Sequence, residues 1–225
     1  MSTTGGAGLQ LDHIFVVCDA EAPELAALAA IGLDGPPRRS RHEGQGTANA
    51  CVVFENAFLE LIWVHDEREA RSPLTAPTRL WDRWAARRAG ACPFGIGLRP
   101  ATPGAVPPYA TWPYRPSYLP AGMSIDFAAG TPLDEPELFF MAFTGARPDF
   151  RELARQHSIA PGPITSVAID LSGSPPLSPA CAAIQNAGVV AFGRADRHVL
   201  RIACGARAAG RSADLRPTLS IVLDW

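Results

Sequence analysis

The sequence predicts an α+β fold in which repeated βαβββ modules form curved mixed sheets around one pocket. Three observations lead there. Apolar runs of strand length, such as "LQLDHIFVVC", "TANACVVFE" and "AFLELIWV", are separated by turn residues. Helical stretches are few and end at clear stop signals. The strand–helix–strand order at the N-terminus recurs in the last quarter of the chain, which marks an internal repeat.

Residues 1–9 read as a flexible tail, with neither the charged nor the apolar segment of a signal peptide. Residues 10–65 form the first module. Its opening strand puts Leu11, His13, Phe15 and Val17 on one face. The helix "EAPELAALAAIG" has Pro23 in its first turn, an apolar side of Leu25, Leu28 and Ile31, and Gly32 as its stop. An extended piece from Arg38 to His42 follows, then two strands joined by a tight turn at Glu55-Asn56.

Residues 66–145 read as a linking helix and a degenerate, strand-rich middle region. The helix, "SPLTAPTRLWDRWAARRAG", carries Trp81 and Trp84 on one face. The strands are "CPFGIGLR", "MSIDFA" and "ELFFMAF", and the Pro-rich "PATPGAVPPYATWPYRPSYLP" reads as a lid or wall over a pocket. Residues 146–225 read as a linker helix, "RPDFRELARQH", and a second clear βαβββ module. That module has the strand "ITSVAIDL" and a helix with Ser178 as N-cap, Pro179 at its first position and Gly188 beyond its end. A hairpin turning at Ala195-Asp196 and the strand "TLSIVLDW" complete it. Superposing the two modules sets Ser166 opposite His13 and Ser220 opposite Glu60.

Composition excludes several functions. The formal net charge is -2 with no basic block, so no nucleic-acid partner is expected. No apolar run approaches the roughly 20 residues that span a bilayer, so a cytoplasmic protein without a membrane partner is expected. All 20 basic residues are arginines. Without a lysine amine there is no Schiff base, no pyridoxal phosphate anchor and no P-loop. "GQGTAN" lacks the third glycine and the strand-to-helix setting of a nucleotide loop. The five cysteines are widely spaced with no C-x-x-C, which predicts buried free thiols.

The chemistry concentrates at two residues. Glu60 stands alone among Phe58, Leu59, Leu61, Ile62, Trp63 and Val64. An unpaired buried carboxylate costs several kcal/mol, so it needs a proton, a cationic partner such as Arg99 or Arg201, or a bound group. His13 is central in its own strand. Imidazole and carboxylate are good ligands for divalent zinc, iron, manganese or nickel. The same pair also serves as a hydrogen-bonded core contact, or as a metal-free general base. Arg99, at a strand end, reads as a surface arginine or as one placed to meet an anionic substrate.

The "LDHIFVV" opening and the "GTANACVVFENAFLELIWV" ending, with Asp12, His13, Gly46, Thr47, Asn49 and Glu60, resemble the vicinal oxygen chelate superfamily. Within it they resemble the glyoxalase-like domain proteins. The likeness is strong over residues 9–65. Over 92–225 it rests on element order and on "PFGIGLR". It implies the glyoxalase/bleomycin resistance/dioxygenase fold, with paired modules curled around a metal and ligands from the edge strands of both. It also implies a lyase, isomerase or dioxygenase acting on a small oxygen-rich metabolite held by a Lewis-acidic metal. His13 and Glu60 match two ligand positions, and His42, Thr47 and Asn49 border the implied pocket. The partner module offers only Phe94, Leu138, Phe139, Ser166 or Ser220, none a good ligand. Either His42, His157 or Asp126 completes the set, or the chain is a metal-free small-molecule-binding protein of the sequestration type. Such folds also often pair as homodimers.

Overall fold

The structure, a computed structural model, describes residues 8–144, 149–173, 176–205 and 210–225. Most of the tail expected over 1–9, and the start of the expected linker helix, lie outside the described residues. Among those described, thirteen strands form two mixed sheets with few, short helices, an α+β architecture.

The first module consists of β1 (Leu9–Val17), α1 (Leu25–Ala30), β2 (Arg38–His42), β3 (Thr47–Val53) and β4 (Phe58–Val64). The helix carries the chain across so that β4 returns parallel to β1, and the order in the sheet is β2-β3-β4-β1. The turn between β3 and β4 closes with Phe54 N–H donating to Ala57 O at 2.9 Å. Asn56, at its tip, donates to Ile164 O at 2.9 Å and accepts from Ile164 N at 2.7 Å, which ties this module to the C-terminal unit.

The expected long helix after β4 is broken into α2 (Glu67–Ala70), a 3-10 turn (Ala76–Thr78) and α3 (Leu80–Ala85). Pro73 and Pro77 lack the N–H donors a continuous helix needs, and Arg79 has left-handed backbone at φ 56. Trp84, on α3, anchors the piece by donating from Nε1 to Cys18 O at 3.0 Å.

The middle strands β5 (Phe94–Pro100), β6 (Thr111–Tyr114), β7 (Ile125–Ala128) and β8 (Glu137–Phe140) extend the same sheet in the order β5-β8-β7-β6. Each half thus repeats one pairing plan: first strand parallel to fourth, then third, then second. The halves meet where β1 and β5 run antiparallel, Ile14 opposite Ile96. The degenerate middle region is therefore the module that faces the first, with an irregular loop in place of the helix.

Side chains alternate between the two faces of this eight-stranded sheet. Ile14, Val16, Leu61, Ile96 and Leu138 point toward the C-terminal unit and form the main core with it. His13, Phe15, Glu60 and Phe139 point the other way, into a concave face. After α4 (Arg151–Ala154), the second sheet contains β9 (Ile164–Ser172), β10 (Ala191–Ala195), β11 (Val199–Cys204), β12 (Ser212–Asp214) and β13 (Ile221–Asp224), ordered β10-β9-β11-β13-β12. Between β9 and β10, α5 (Pro179–Asn186) is capped by Ser178, whose Oγ accepts from Cys181 N at 3.3 Å.

The C-terminal unit keeps the expected element order but pairs its strands differently. β10 and β11 flank β9 instead of forming a hairpin. The crossing over the end of β9 is pinned by His198, whose Nδ1 accepts from Ser172 N at 3.2 Å. His198 is therefore buried. Because β13 lies beyond β11, Ser166 and Ser220 are not the structural counterparts of His13 and Glu60. No helix among the described residues is long and apolar enough to cross a membrane.

Candidate functional site

The site begins with the register of β1 against β4. Phe15 is paired with Glu60 and His13 with Phe58, so the imidazole and the carboxylate are diagonal neighbours on the concave face. Register shifts between Leu11 and His13, which brings Asp12 alongside the ring. His13 Nδ1 lies 2.7 Å from Asp12 Oδ1. Asp12 Oδ2 meets Arg99 Nη2 at 2.8 Å. On the other side, His13 Nε2 is 3.4 Å from Glu60 Oε2, longer than a full hydrogen bond. The result is a buried row of alternating charge: Arg99, Asp12, His13, Glu60.

Glu60 Oε1 accepts from Asn49 Nδ2 at 2.6 Å. Asn49 Oδ1 in turn accepts from Ser40 Oγ at 2.8 Å, which fixes the amide. His42 Nε2 is 3.3 Å from Asn49 Nδ2, and its Nδ1 is 2.9 Å from Thr47 Oγ1. Gln45 donates to that hydroxyl at 2.7 Å, and Tyr118 donates to Gln45 Oε1 at 2.9 Å.

These contacts set the charges. Burial alone pushes His13 down, but the hydrogen bonds and charges of Asp12 and Glu60 outweigh it and raise its pKa to about 9. Burial pushes Glu60 up, but hydrogen bonding and charge from His13, then His42 and Asn49, lower it to about 2. Burial lowers His42, against the pull of Glu60, and keeps that ring neutral.

The pair forms the floor of a cavity of about 440 Å³. One wall is polar, with His42, Asn49 and Ser40. The other is aromatic: Phe15, Phe58, Phe127, Phe139 and Phe150. Tyr118 and Leu119 from the Pro-rich segment complete the wall. Among the described residues none beyond Phe150 lines it; the second sheet supports the back of the first.

Of the residues singled out in the sequence, His13, His42, Asn49 and Glu60 line the cavity, and Thr47 stands behind His42. Arg99 does not reach it. That guanidinium is buried against Asp12, because its strand position places it behind the bulge in β1. Arg201 pairs with Asp170 at 2.8 Å, so neither arginine partners Glu60. His157 is spent on structure, with Nε2 3.0 Å from Val53 O and Nδ1 accepting from Gly35 N at 2.8 Å. Asp126 accepts from Ser124 Oγ at 2.9 Å and is also outside the lining. Sequence reasoning missed Arg38, Ser40 and Cys51 in the lining. The period-two signal was present: Arg38 and Ser40 share a face with His42, and Cys51 with Asn49. Tyr118 carried no such signal.

The residues do not fit the metal centre that the family likeness implies. The two halves of the eight-stranded sheet are related by a local two-fold between Ile14 and Ile96. The pairings Phe15 with Glu60 and Gly97 with Phe139 then make Gly95 the counterpart of His13, and Phe139 the counterpart of Glu60. Neither offers a donor. A Cβ on Gly95 would come 2.1 Å from the Phe15 ring, so that ring fills the space a second ligand would need. The nearest further donor, His42 Nε2, is 3.9 Å from Glu60 Oε1. Among the described residues, no three His, Cys, Asp or Glu side chains are grouped to hold a metal ion.

Paired halves, a shared concave sheet and a His–Glu floor define an α+β protein with one pocket built on a duplicated sheet. Residues 11–106 match the family described as glyoxalase-like domain, a span from β1 through β5 and into the loop beyond. No curated protein matches the chain. The crystal structure of a hypothetical protein from Staphylococcus aureus superposes with a TM-score of 0.53 at 9% identity, covering 96% of this chain and 99% of that one, which shows a common fold. A hypothetical protein from Bacillus halodurans C-125 aligns at 13% identity with a TM-score of 0.40, over 63% of this chain and 99% of its own.

Proposed function

We propose that this glyoxalase-like protein binds a small organic molecule directly, without a metal, in the cavity over His13 and Glu60. The observation that carries the proposal is the replacement of the second half-site by Gly95 and Phe139, with the Phe15 ring packed where a ligand side chain would stand. The electrostatics agree. General acid–base catalysis works best with a pKa near the working pH. Here His13 is raised to about 9 and Glu60 lowered to about 2, so both are moved away from neutrality. The pair is better suited to presenting a fixed N–H donor and a fixed carboxylate acceptor than to exchanging protons. A cavity of about 440 Å³, aromatic on one side and polar on the other, is within the range of small-molecule sites.

A metal-assisted lyase, isomerase or dioxygenase is the second reading. One distance favours it: His13 Nε2 and Glu60 Oε2 are 3.4 Å apart. Two ligands of one tetrahedral ion, each bonded at about 2.1 Å, have a separation of about that size. Metal analysis of untagged protein separates the two. Protein free of stoichiometric metal, binding its ligand equally well in chelator, is the expected result. A stoichiometric divalent ion that disappears in both His13→Ala and Glu60→Ala overturns the proposal in favour of the enzyme.

A further inference from the structure

We infer that the ligand of this cavity is an elongated aromatic acid, with a hydroxyl at the inner end of its ring system and an anionic group at the mouth. The inference rests on the metal-free reading above and adds the chemistry of the ligand to it.

The inner end is defined by an incomplete contact. His13 Nε2 and Glu60 Oε2 face each other at 3.4 Å, while the other atoms of both groups have close partners: Asp12 at 2.7 Å on the imidazole and Asn49 at 2.6 Å on the carboxylate. One N–H donor and one carboxylate acceptor are therefore left side by side at the floor, each without a full-strength bond. A hydroxyl satisfies both, because its oxygen accepts from the imidazole while its proton goes to the carboxylate. A bare carboxylate in that place would be repelled by Glu60, and an ammonium by His13.

The middle is aromatic. Phe58 stacks on His13 with ring centroids 4.4 Å apart and planes 10° from parallel. Phe139, its ring centroid 5.2 Å from that of His13, is stacked in turn with Phe15 and Phe127 at interplanar angles of 16° and 28°. Flat walls of this kind favour a flat aryl body.

The mouth supplies the charge. Across β2, β3 and β4, Arg38 is paired with Cys51 and Cys51 with Glu60, so the arginine lies two strands from the carboxylate. Strand spacing makes that about 10 Å between backbones. Ser40 bonds Asn49 on the concave side, and alternation puts Arg38 on the same face. Arg39 also borders the cavity but is paired with Glu21 at 3.6 Å, whereas no ion pair engages Arg38 among the described residues. The lining thus includes an exposed guanidinium without an ion-pair partner among the described residues, two strands from the floor. The two polar groups of the ligand are at opposite ends and not on neighbouring atoms.

Fluorescence titration of the full chain in chelator with 6-hydroxy-2-naphthoate, 2-naphthoate and 2-naphthol tests this. The hydroxy acid is expected to bind at least about tenfold more tightly than either single-group analogue, the size of one charge-assisted hydrogen bond. Arg38→Gln, an exposed change that leaves folding intact, should erase the advantage over 2-naphthol. Glu60→Gln should erase the advantage over 2-naphthoate. Equal affinity for all three probes, or an unaltered preference in Arg38→Gln, overturns the ligand assignment while leaving metal-free binding in place. Binding of any probe only after zinc is added overturns the metal-free reading itself. No binding under either condition overturns the ligand assignment.

Discussion

One carboxylate joins Arg99 to His13: Asp12 takes Arg99 Nη2 at 2.8 Å on one oxygen and His13 Nδ1 at 2.7 Å on the other. Arg99 and Asp12 are almost wholly buried. Removing one member of such a row leaves its neighbours buried and unbalanced, which typically costs about 3–5 kcal/mol. Asp12→Asn is therefore expected to lower unfolding free energy by about that amount in a urea titration. The double variant Asp12→Asn, Arg99→Met should lose clearly less than the sum of the two single changes, because both changes remove the same ion pair. Strict additivity would show that the two side chains are not coupled.

The same row makes stability depend on pH in both directions. His13 has a folded pKa near 9 against an ordinary value of 6.5, so its contribution is complete below about pH 6.5 and is lost as pH rises through 9. Glu60 has a folded pKa near 2 against 4.5, so its contribution is complete above about pH 4.5 and is lost as pH falls toward 2. Both are complete between about pH 4.5 and 6.5, where stability should be greatest. Urea midpoints across pH 3 to 9.5 are expected to show this plateau, with an alkaline decline of up to about 3 kcal/mol. His13→Gln should flatten the alkaline limb. An alkaline limb unchanged in that variant would assign it to another group.

Cys51 is the one partly exposed thiol; Cys18, Cys92, Cys181 and Cys204 are buried. It lines the cavity on the strand next to Glu60, and burial followed by the Glu60 charge pushes its pKa up. Alkylation of the native protein should therefore be slow and confined to Cys51, with all five thiols reacting in denaturant. Mass spectrometry after limited iodoacetamide treatment reads this directly. A cavity ligand should slow the reaction further, which makes Cys51 an occupancy probe needing no knowledge of the ligand.

The first module was legible because its signals are local. The alternation in "LDHIFVV" and the carboxylate inside "AFLELIWV" place His13 and Glu60 on strands of period two, and Gly32 and the Glu55-Asn56 turn mark the connections. What sequence could not show was which strands become neighbours. The C-terminal quarter repeats the element order of the first module, but β9 inserts between β10 and β11, a choice made by tertiary contacts such as His198 with Ser172. The true partner, β5 to β8, has no helix and no ligand residues, so neither pattern nor chemistry advertised it. Arg99 illustrates the same limit: its strand was evident, but its burial against Asp12 depends on a one-residue bulge in β1.

The local two-fold leads to the last prediction. Phe139 occupies the position related to Glu60, and its ring centroid is 5.2 Å from that of His13. Phe139→Glu would add a third donor facing His13 and Glu60, the number that catalytic zinc sites normally require. The new carboxylate would be buried near Glu60, so the metal-free variant should be destabilised by several kcal/mol. A bound divalent ion should restore much of that loss, since ligands that bind only the folded state stabilise it. Thermal melts of Phe139→Glu with and without zinc should therefore diverge, while the native chain shows little response. Gly95→His, the related change on β5, should not gain metal binding, because the Phe15 ring occupies the space its side chain would enter. A native chain that responds to zinc as strongly as Phe139→Glu would mean that His13, Glu60 and one further group already suffice, and the aromatic half-site would then have a different explanation.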